Sequence, residues 1–395
     1  MKRVDLAILG GGCAGLSLAR DLAREATAGS MNQPKVVVIE PREKYENDRT
    51  WCFWEGPNEK GDPLVRHRWK TWRFSTRSQS QAQASARWAY SLVSGEDFYR
   101  DAREAIAEAP SLALQLGTRV TRLIPRDEGI EVETSAGPLL ASRVVDTRPP
   151  RHDQGGHFPL YQSFAGVVVE CRESPGDPEI AGLMENMRTD QRGFRFDYIL
   201  PLGNDHWLIE ATRFSVENEP LSFLKRDLDL SLQELLPSGD FQIHHREAGM
   251  IPMGRVATKA NHDPRWVFAG TGGGAVRAAS GYAYKRIQRW SRECARVFHE
   301  TGEVVGHPPD SRIRQAMDGL FLQVLRAEPE RAPELFYQMA RRTRPETLAR
   351  FMMDQAGPLD LLSVVLSCPP VPFLKQIWKN GLRKSSATPV ARNPA

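Results

Sequence analysis

The run Gly10-Gly11-Gly12-Cys13-Ala14-Gly15 constrains this chain more than any other feature. It follows an apolar stretch at 4–9 and precedes a helical pattern carried by Leu16, Ala19, Leu22 and Ala23. A second apolar stretch at 36–39 ends in Glu40. These segments read as strand, glycine turn, helix, strand and acid, the order a dinucleotide site requires. Gly10 permits the tight turn, Gly12 lets the backbone approach a pyrophosphate, and Gly15 lets the helix pack on the strand. Amides at the helix start would then face phosphates, and Glu40 would accept a hydrogen bond from a ribose hydroxyl.

The remaining chain of 395 residues is long enough for two or three closely packed subdomains. No apolar run approaches the ~20 residues of a spanning helix, and the chain opens directly on a strand, which predicts no signal peptide. The five cysteines, at 13, 52, 171, 294 and 368, are scattered and odd in number. With nine histidines that show no ligand spacing, they predict a reducing, cytoplasmic setting and no metal. A net charge of +4 is too small to imply nucleic acid.

The glycine fingerprint alone leaves NAD and FAD open. Two further segments favour FAD. A short apolar strand at 144–148, containing Asp146, reads as a return to the nucleotide-binding sheet. A strand at 266–270 runs into Thr271-Gly272-Gly273-Gly274, so that Gly270 and Gly273 face the cofactor from the other side. One nucleotide domain, interrupted by a substrate domain, wraps an FAD in this three-part way. The expected fold is α/β. It comprises a discontinuous FAD-binding Rossmann-like domain of the glutathione-reductase/hydroxylase kind (1–150 and 254–300) and a substrate domain with an antiparallel sheet (151–253). A helical region (301–384) and a disordered tail (385–395) complete it. Alternating apolar residues support the sheet, and 221–236 reads as a helix within it. Residues 41–75 read as loops with short strands, and the polar stretch 75–87 as an exposed connection. Gly270 is followed by Thr271, so the Gly-Asp pair usual in hydroxylases is absent, as is a halogenase WxWxIP.

Six segments in order resemble the lycopene cyclases of carotenoid biosynthesis, particularly the bacterial β-cyclase type. They are Asn47-Asp48-Arg49-Thr50-Trp51-Cys52-Phe53-Trp54, Tyr161-Gln162-Ser163-Phe164-Ala165-Gly166, Asp197-Tyr198-Ile199-Leu200-Pro201-Leu202, Leu208-Ile209-Glu210-Ala211-Thr212-Arg213-Phe214-Ser215, Glu247-x-Gly249-x-Ile251-Pro252-Met253 and Ala279-Ser280-Gly281-Tyr282-Ala283-Tyr284. Pro369-Pro370-Val371-Pro372 matches the family's usual tail. The resemblance implies a non-redox flavoprotein, active with reduced FAD and supplied with electrons by NAD(P)H. Its implied substrate is lycopene or a related acyclic polyene, whose ψ ends are closed to β-ionone rings by acid catalysis. It implies that Glu210 is the acid, that Arg49 lies near the flavin, and that Gly281 and Tyr282 line the junction of flavin and substrate. From the residues alone, Glu210 is a strand carboxylate that points to solvent or pairs with Arg213. The family's second acid is replaced by Ala211, leaving Asp205 and Glu217 as candidates by proximity in sequence, although alternation along a strand would turn 211 away from the site. The alternative is an FAD-dependent oxidoreductase, a monooxygenase or isoprenoid reductase, acting on a hydrophobic polyene.

Trp69, Trp72, Phe74, Trp88, Tyr90, Phe194, Phe196 and Trp207 are candidates for an apolar slot that shields a carbocation. From Val371 onward the chain carries Lys375, Lys379, Arg383, Lys384 and Arg392 and no acidic side chain, with Phe373, Leu374, Ile377, Trp378 and Leu382 interleaved. Such a segment reads either as a packed C-terminal helix or as a peripheral anchor on the inner face of the cytoplasmic membrane.

Overall fold

The computed structural model describes residues 1–26, 33–149, 158–255 and 263–385, with side chains as far as 381. Nearly all of the expected tail and most of the boundary loop at 149–156 lie outside the described residues. Among those described, the strands form three sheets.

The first sheet uses β1 (Lys2–Leu9), β2 (Val36–Ile39), β8 (Leu112–Gln115), β9 (Val120–Arg126), β10 (Gly129–Thr134), β11 (Leu139–Asp146) and β17 (Trp266–Phe268). Strands β8, β2, β1 and β11 lie parallel in that order, and β17 joins β11 in parallel beyond the point where antiparallel β10 leaves it. All four residues of β2 are buried, as a parallel strand covered on both faces requires. Helix α1 (Cys13–Ala26) packs over this sheet beside α4 (Tyr284–Thr301) and α2 (Gly95–Glu108). Gln288 donates to Ser17 at 2.7 Å and Ser291 to Asp21 at 2.6 Å, which locks α4 to α1 through buried polar groups. Arg286 of α4 pairs with Asp310 and Asp354.

The second sheet runs β16-β12-β15-β14-β13-β5-β6. Its members are β5 (Thr71–Thr76), β6 (Ser80–Ala84), β12 (Leu160–Cys171), β13 (Ile180–Asp190), β14 (Gly193–Gly203), β15 (His206–Ser215) and β16 (Phe241–Met253). All neighbours pair antiparallel except β13 and β5. Asn204 and Asp205 join β14 to β15, both at positive φ (49° and 62°), as a two-residue type I′ hairpin turn demands. The third sheet, β3 (Thr50–Glu55), β7 (Ala89–Ser94) and β4 (His67–Trp69), lies beside the other two.

Residues 75–87 are not an exposed connection. β5 and β6 extend the second sheet, although they precede it by some 80 positions. Trp72 donates from Nε1 to the buried Gln83, which donates to the carbonyls of Ala340 and Thr343 at 2.6 and 2.9 Å. Those carbonyls belong to the end of α6 (Ala332–Arg342), one of the helices that follow α5 (Arg312–Ala327). Phe336 of α6 stacks on Phe194 at 5.3 Å, so the helical part closes over the aromatic face of the second sheet. The low-complexity composition of 75–87 hid a hydrogen-bonding role that needs partners from the far end of the chain.

The two faces of the second sheet differ. One packs Ala165, Val167, Ile199, Trp207, Ile209 and Ala211 beneath Leu224, Leu228 and Leu232 of α3 (Leu221–Leu235). The other presents Leu208, Phe214, Phe194 and Phe196 toward the rest of the molecule. Trp207 therefore belongs to the α3 face, not to a slot shared with Phe194 and Phe196. Arg213 lies on the α3 face as well and pairs there with Asp190 and Asp227, so it does not pair with Glu210.

This two-faced packing sets the cost of restoring an acid at 211. Ala211→Glu is expected to destabilise the fold by about 3 kcal/mol, because it buries an unpaired charge against leucines, without raising any activity of the opposite face. Denaturant unfolding of the two proteins measures the difference, and equal stability would contradict the assignment of faces.

Candidate active site

The glycine turn after β1 is built by contacts that leave little choice of residue. Gly10 has φ +97°, and a Cβ at Gly15 would stand 1.9 Å from the Gly10 carbonyl oxygen. Gly12 differs, because a Cβ there would project into open space, free of protein atoms within 4 Å. Glu40 stands beside this turn. Its Oε2 accepts from the Gly11 amide at 2.5 Å, and its Oε1 accepts from Arg42. The Arg42 guanidinium, over the Tyr45 ring at 4.7 Å, and the Tyr45 hydroxyl both reach the Gly11 carbonyl. Sequence reading missed Arg42 and Tyr45.

The second glycine turn, a short 3-10 segment at Gly270–Gly273, meets the start of α1. A Cβ on Gly270, at φ +62°, would stand 3.0 Å from the Ala14 Cβ, and one on Gly273 would overlap the Phe268 carbonyl. The Gly270 amide donates to His307 Nε2 at 3.1 Å. Burial and the Arg286 charge push the His307 pKa down to about 3, so this ring is a neutral acceptor. Nothing in the spacing of His307 pointed to it. Asp146, at the end of β11, is buried with both carboxylate oxygens held by Arg148 at 2.9 and 2.6 Å. Arg49 is exposed. It donates to the carbonyls of Asp48 and Ala248 and so ties the entry of β3 to β16.

Gly281, at φ +74°, brings the chain against β12, where a Cβ would stand 2.8 Å from Gln162 Oε1. Gln162 Oε1 and the neighbouring Ser280 Oγ are buried with no hydrogen-bond partner among the described residues. Orphaned acceptors and donors of this kind mark a place made for another polar group. Tyr282 follows. Its hydroxyl lies 3.3 Å from that of Tyr90, and its ring packs on Trp54. Burial raises the pKa of Tyr282, of Tyr90 and of Tyr198, so all three stay as neutral phenols.

Glu210 sits just beyond these tyrosines. It projects from β15 on the aromatic face, opposite Tyr198 on β14 and Gly166 on β12. Gly166 in turn lies opposite Glu247 on β16. The glycine has no side chain, and both glutamates lean over it. A Cβ at Gly166 would stand 3.2 Å from Glu210 Cγ and 3.4 Å from Glu247 Cγ. Thr212 donates to Glu210 Oε1 at 2.7 Å. Burial first, and then the Glu247 carboxylate, push the Glu210 pKa up to about 8, against the opposing Thr212 hydrogen bond. Cys52, on β3, feels both carboxylates and stays a thiol. Asp205 is at the exposed hairpin tip and Glu217 is exposed beyond the end of β15, so neither joins the site. The carboxyl that does stand beside Glu210 is that of Glu247, 37 positions away in sequence and brought in by strand order.

Fold and site together define a Rossmann-like α/β protein with a carboxyl pair, Glu247 buried and Glu210 half-buried, on the aromatic face of an inserted sheet. Residues 5–377 match the lycopene cyclase protein family, and the chain belongs to that family. It is 25% identical over 389 residues to a lycopene β-cyclase of Paracoccus sp. (strain N81106 / MBIC 01143), covering 91% of this chain and 94% of the relative. It is 29% identical over 216 residues to a lycopene β-cyclase of Pseudescherichia vulneris, and there the match spans about half of each chain (53% and 52%). Among solved structures, a geranylgeranyl bacteriochlorophyll reductase-like protein of Thermoplasma acidophilum shares the fold, with a TM-score of 0.61 at 13% identity over 96% of this chain and 99% of that one. So does p-nitrophenol 4-monooxygenase of Pseudomonas putida, with a TM-score of 0.57 at 12% identity over 99% and 100%.

The raised pKa of Glu210 has a consequence for stability. Between the ordinary carboxylate range and about 8, the folded state binds a proton that the unfolded state has released, so this group's contribution falls as pH rises. Glu210→Gln removes the titration while keeping the shape. Its melting temperature relative to wild type is expected to be higher at pH 9 than at pH 5, and a difference independent of pH would contradict the assignment.

Proposed function

We propose that this protein is a lycopene β-cyclase, an enzyme that closes the ψ ends of lycopene, or of a related acyclic polyene, by proton transfer from Glu210. The observation that carries the reading is a carboxyl group held neutral at physiological pH on an aromatic surface, leaning over Gly166 beside a second carboxyl. An alkene is a very weak base, so its protonation needs an acid kept dry and close. Glu210 would add its proton to the terminal double bond, leaving a tertiary carbocation. The next suitably placed double bond attacks that cation, a six-membered ring closes, and loss of one proton restores neutrality. No electron is gained or lost.

The residues fit FAD. Gly10, Gly12, Gly15, Gly270 and Gly273 form a cradle at the start of α1, and Gly12 leaves open space where a side chain would intrude. Glu40 is the proposed ribose ligand. The unpartnered Gln162 and Ser280, beside Gly281, would receive polar edges of the ring system. Bound and kept reduced at the expense of NAD(P)H, FAD would supply an electron-rich surface that stabilises the cation. Tyr90, Tyr198, Tyr282 and Trp54 exclude water and offer π faces to the same charge. Asp146 is engaged by Arg148, and Arg49 by carbonyls, so for these two a direct part in cofactor binding has less support than for the glycines.

The substrate class fits the exposed surface of the last two helices. α8 (Pro358–Ser367), which follows α7 (Pro345–Met352), and α9 (Pro370–Ser385) meet at a bend of 102°. Leu359, Leu362, Val365, Leu366, Leu374, Ile377 and Trp378 are exposed across them. Among the described residues no single helix is long and apolar enough to span a membrane. The proposed role of this pair is to lie in the interface of an anionic bilayer, with Trp378 buried in it and Lys379 among the headgroups. Lys375 is a weaker contributor, since it pairs with Glu328 at 2.7 Å.

Glu210→Gln is expected to cyclise lycopene at least about 10²-fold more slowly while retaining flavin. The wild-type rate should fall above pH 8 as Glu210 ionises. Product analysis by chromatography and mass spectrometry checks both, and undiminished cyclisation by the variant overturns the reading. Replacing Leu366, Leu374 and Trp378 by Ser should reduce co-sedimentation with phosphatidylglycerol vesicles and spare turnover of detergent-dispersed lycopene. Unchanged vesicle binding would contradict the interfacial role.

A further inference from the structure

Glu247 lies in the same enclosure as Glu210 but has no partner to explain its burial. Its side chain is 2% exposed, and Oε2 has no hydrogen-bond partner among the described residues. The nearest cationic candidate, His245 Nε2, is 3.9 Å away, beyond hydrogen-bond reach, and that nitrogen is itself unpartnered. A buried carboxylate left in this state costs several kcal/mol, so an unpaired one held beside a second acid calls for a use.

The surroundings narrow that use. β12 contributes only Gly166 between the two acids. β14 contributes Tyr198, β15 Thr212, β3 Cys52 and β16 His245, while Tyr90 and Tyr282 close the far side. None of these is a cation, apart from His245 when it is protonated. Two carboxyls of like charge in such a place cannot both ionise at small cost, and they share a proton instead.

We infer that Glu210 and Glu247 form a one-proton pair across Gly166, in which Glu247 is the base that removes the proton lost on ring closure. The inference rests on the reading of Glu210 as the acid. The cycle balances within the pair. Glu210 starts protonated and Glu247 ionised. The Glu210 O–H bond breaks as the new C–H bond forms at the polyene terminus. After ring closure the C–H bond of the ring carbon breaks, its electrons form the ring double bond, and its proton goes to Glu247. Transfer of that proton from Glu247 to the Glu210 carboxylate, over the backbone of Gly166, restores the start. A side chain at 166 would stand between the donors, which accounts for a glycine in the middle of a long strand.

The test uses the full-length, flavin-loaded protein with Glu247→Gln and Glu247→Asp, and Glu210→Gln as the control. Flavin content checks folding, cyclisation is followed against pH, and infrared spectroscopy of the substrate-free protein titrates the protonated carboxyl band. Glu247→Gln should cyclise about 10²-fold more slowly. Its remaining band should titrate at lower pH than in wild type, because the like charge is gone. Glu247→Asp keeps the charge but retracts it by one methylene, so its band should stay near the wild-type midpoint while cyclisation still slows. A Glu247→Gln protein that cyclises at the wild-type rate, or an unmoved band, overturns the pair, and a wild-type rate in Glu247→Asp does the same if the Gln variant fails to fold. If Glu210→Gln itself cyclises normally, the acid assignment falls and the pair with it. An inert Glu210→Gln beside a fully active Glu247→Gln overturns the pair alone.

Discussion

A carboxylate taken out of water must be neutralised, paired or protonated, and most of what is distinctive here follows from how Glu210 meets that demand. Among the described residues no cation lies within ion-pair distance of it. The sheet gives it Thr212 as a single hydrogen-bond donor and sets Glu247 on the other side of Gly166. Burial and the like charge act in the same direction, and the proton stays on at neutral pH. The α3 face of the same sheet solves the problem in the opposite way. There Arg195 and Arg213 pair with Asp227 and Asp190, and Ser231 donates to Asp197. One sheet therefore carries a paired ionic network on one side and an unpaired acid on the other.

Strand β3 of the third sheet meets the second sheet near this acid, where Cys52 feels both carboxylates. Gly281 carries the chain from the second glycine turn against Gln162, Tyr282 continues to Tyr90, and Tyr198 adjoins Glu210. A path of a few residues thus joins the dinucleotide cradle to the carboxyl pair. Arg49 adds a second link from β3 to the carbonyl of Ala248, next to Glu247. The aromatic density of 47–54 finds its reason here, since Trp51 and Phe53 stack on Tyr284 and Trp54 packs on Tyr90 and Tyr282.

Much of this was legible in the sequence because it is local. The order of strand, glycine turn, helix and acid specified the first parallel unit, and alternation specified the long antiparallel strands. Strand alternation also anticipated that Ala211 faces away from Glu210. The features that escaped are those that only strand order or distant pairing creates. Glu247 reads as an ordinary strand glutamate until β16 is set beside β12. β6 reads as an exposed connection until Gln83 meets the end of α6. His307, in a segment without regular pattern, acquires a role only when it accepts from Gly270. The exposed apolar face of α8 is likewise set by how the last helices pack, which the apolar run at 361–366 does not disclose.

In the proposed reaction carbon is protonated by an enzyme acid and no redox change occurs. A single anaerobic turnover of lycopene in D2O, by enzyme equilibrated in that solvent with reduced FAD, tests it most directly. The first ring closed is expected to carry one deuterium, in a product otherwise isomeric with lycopene. A product without deuterium, or one heavier by an oxygen or by a pair of hydrogens, would contradict it.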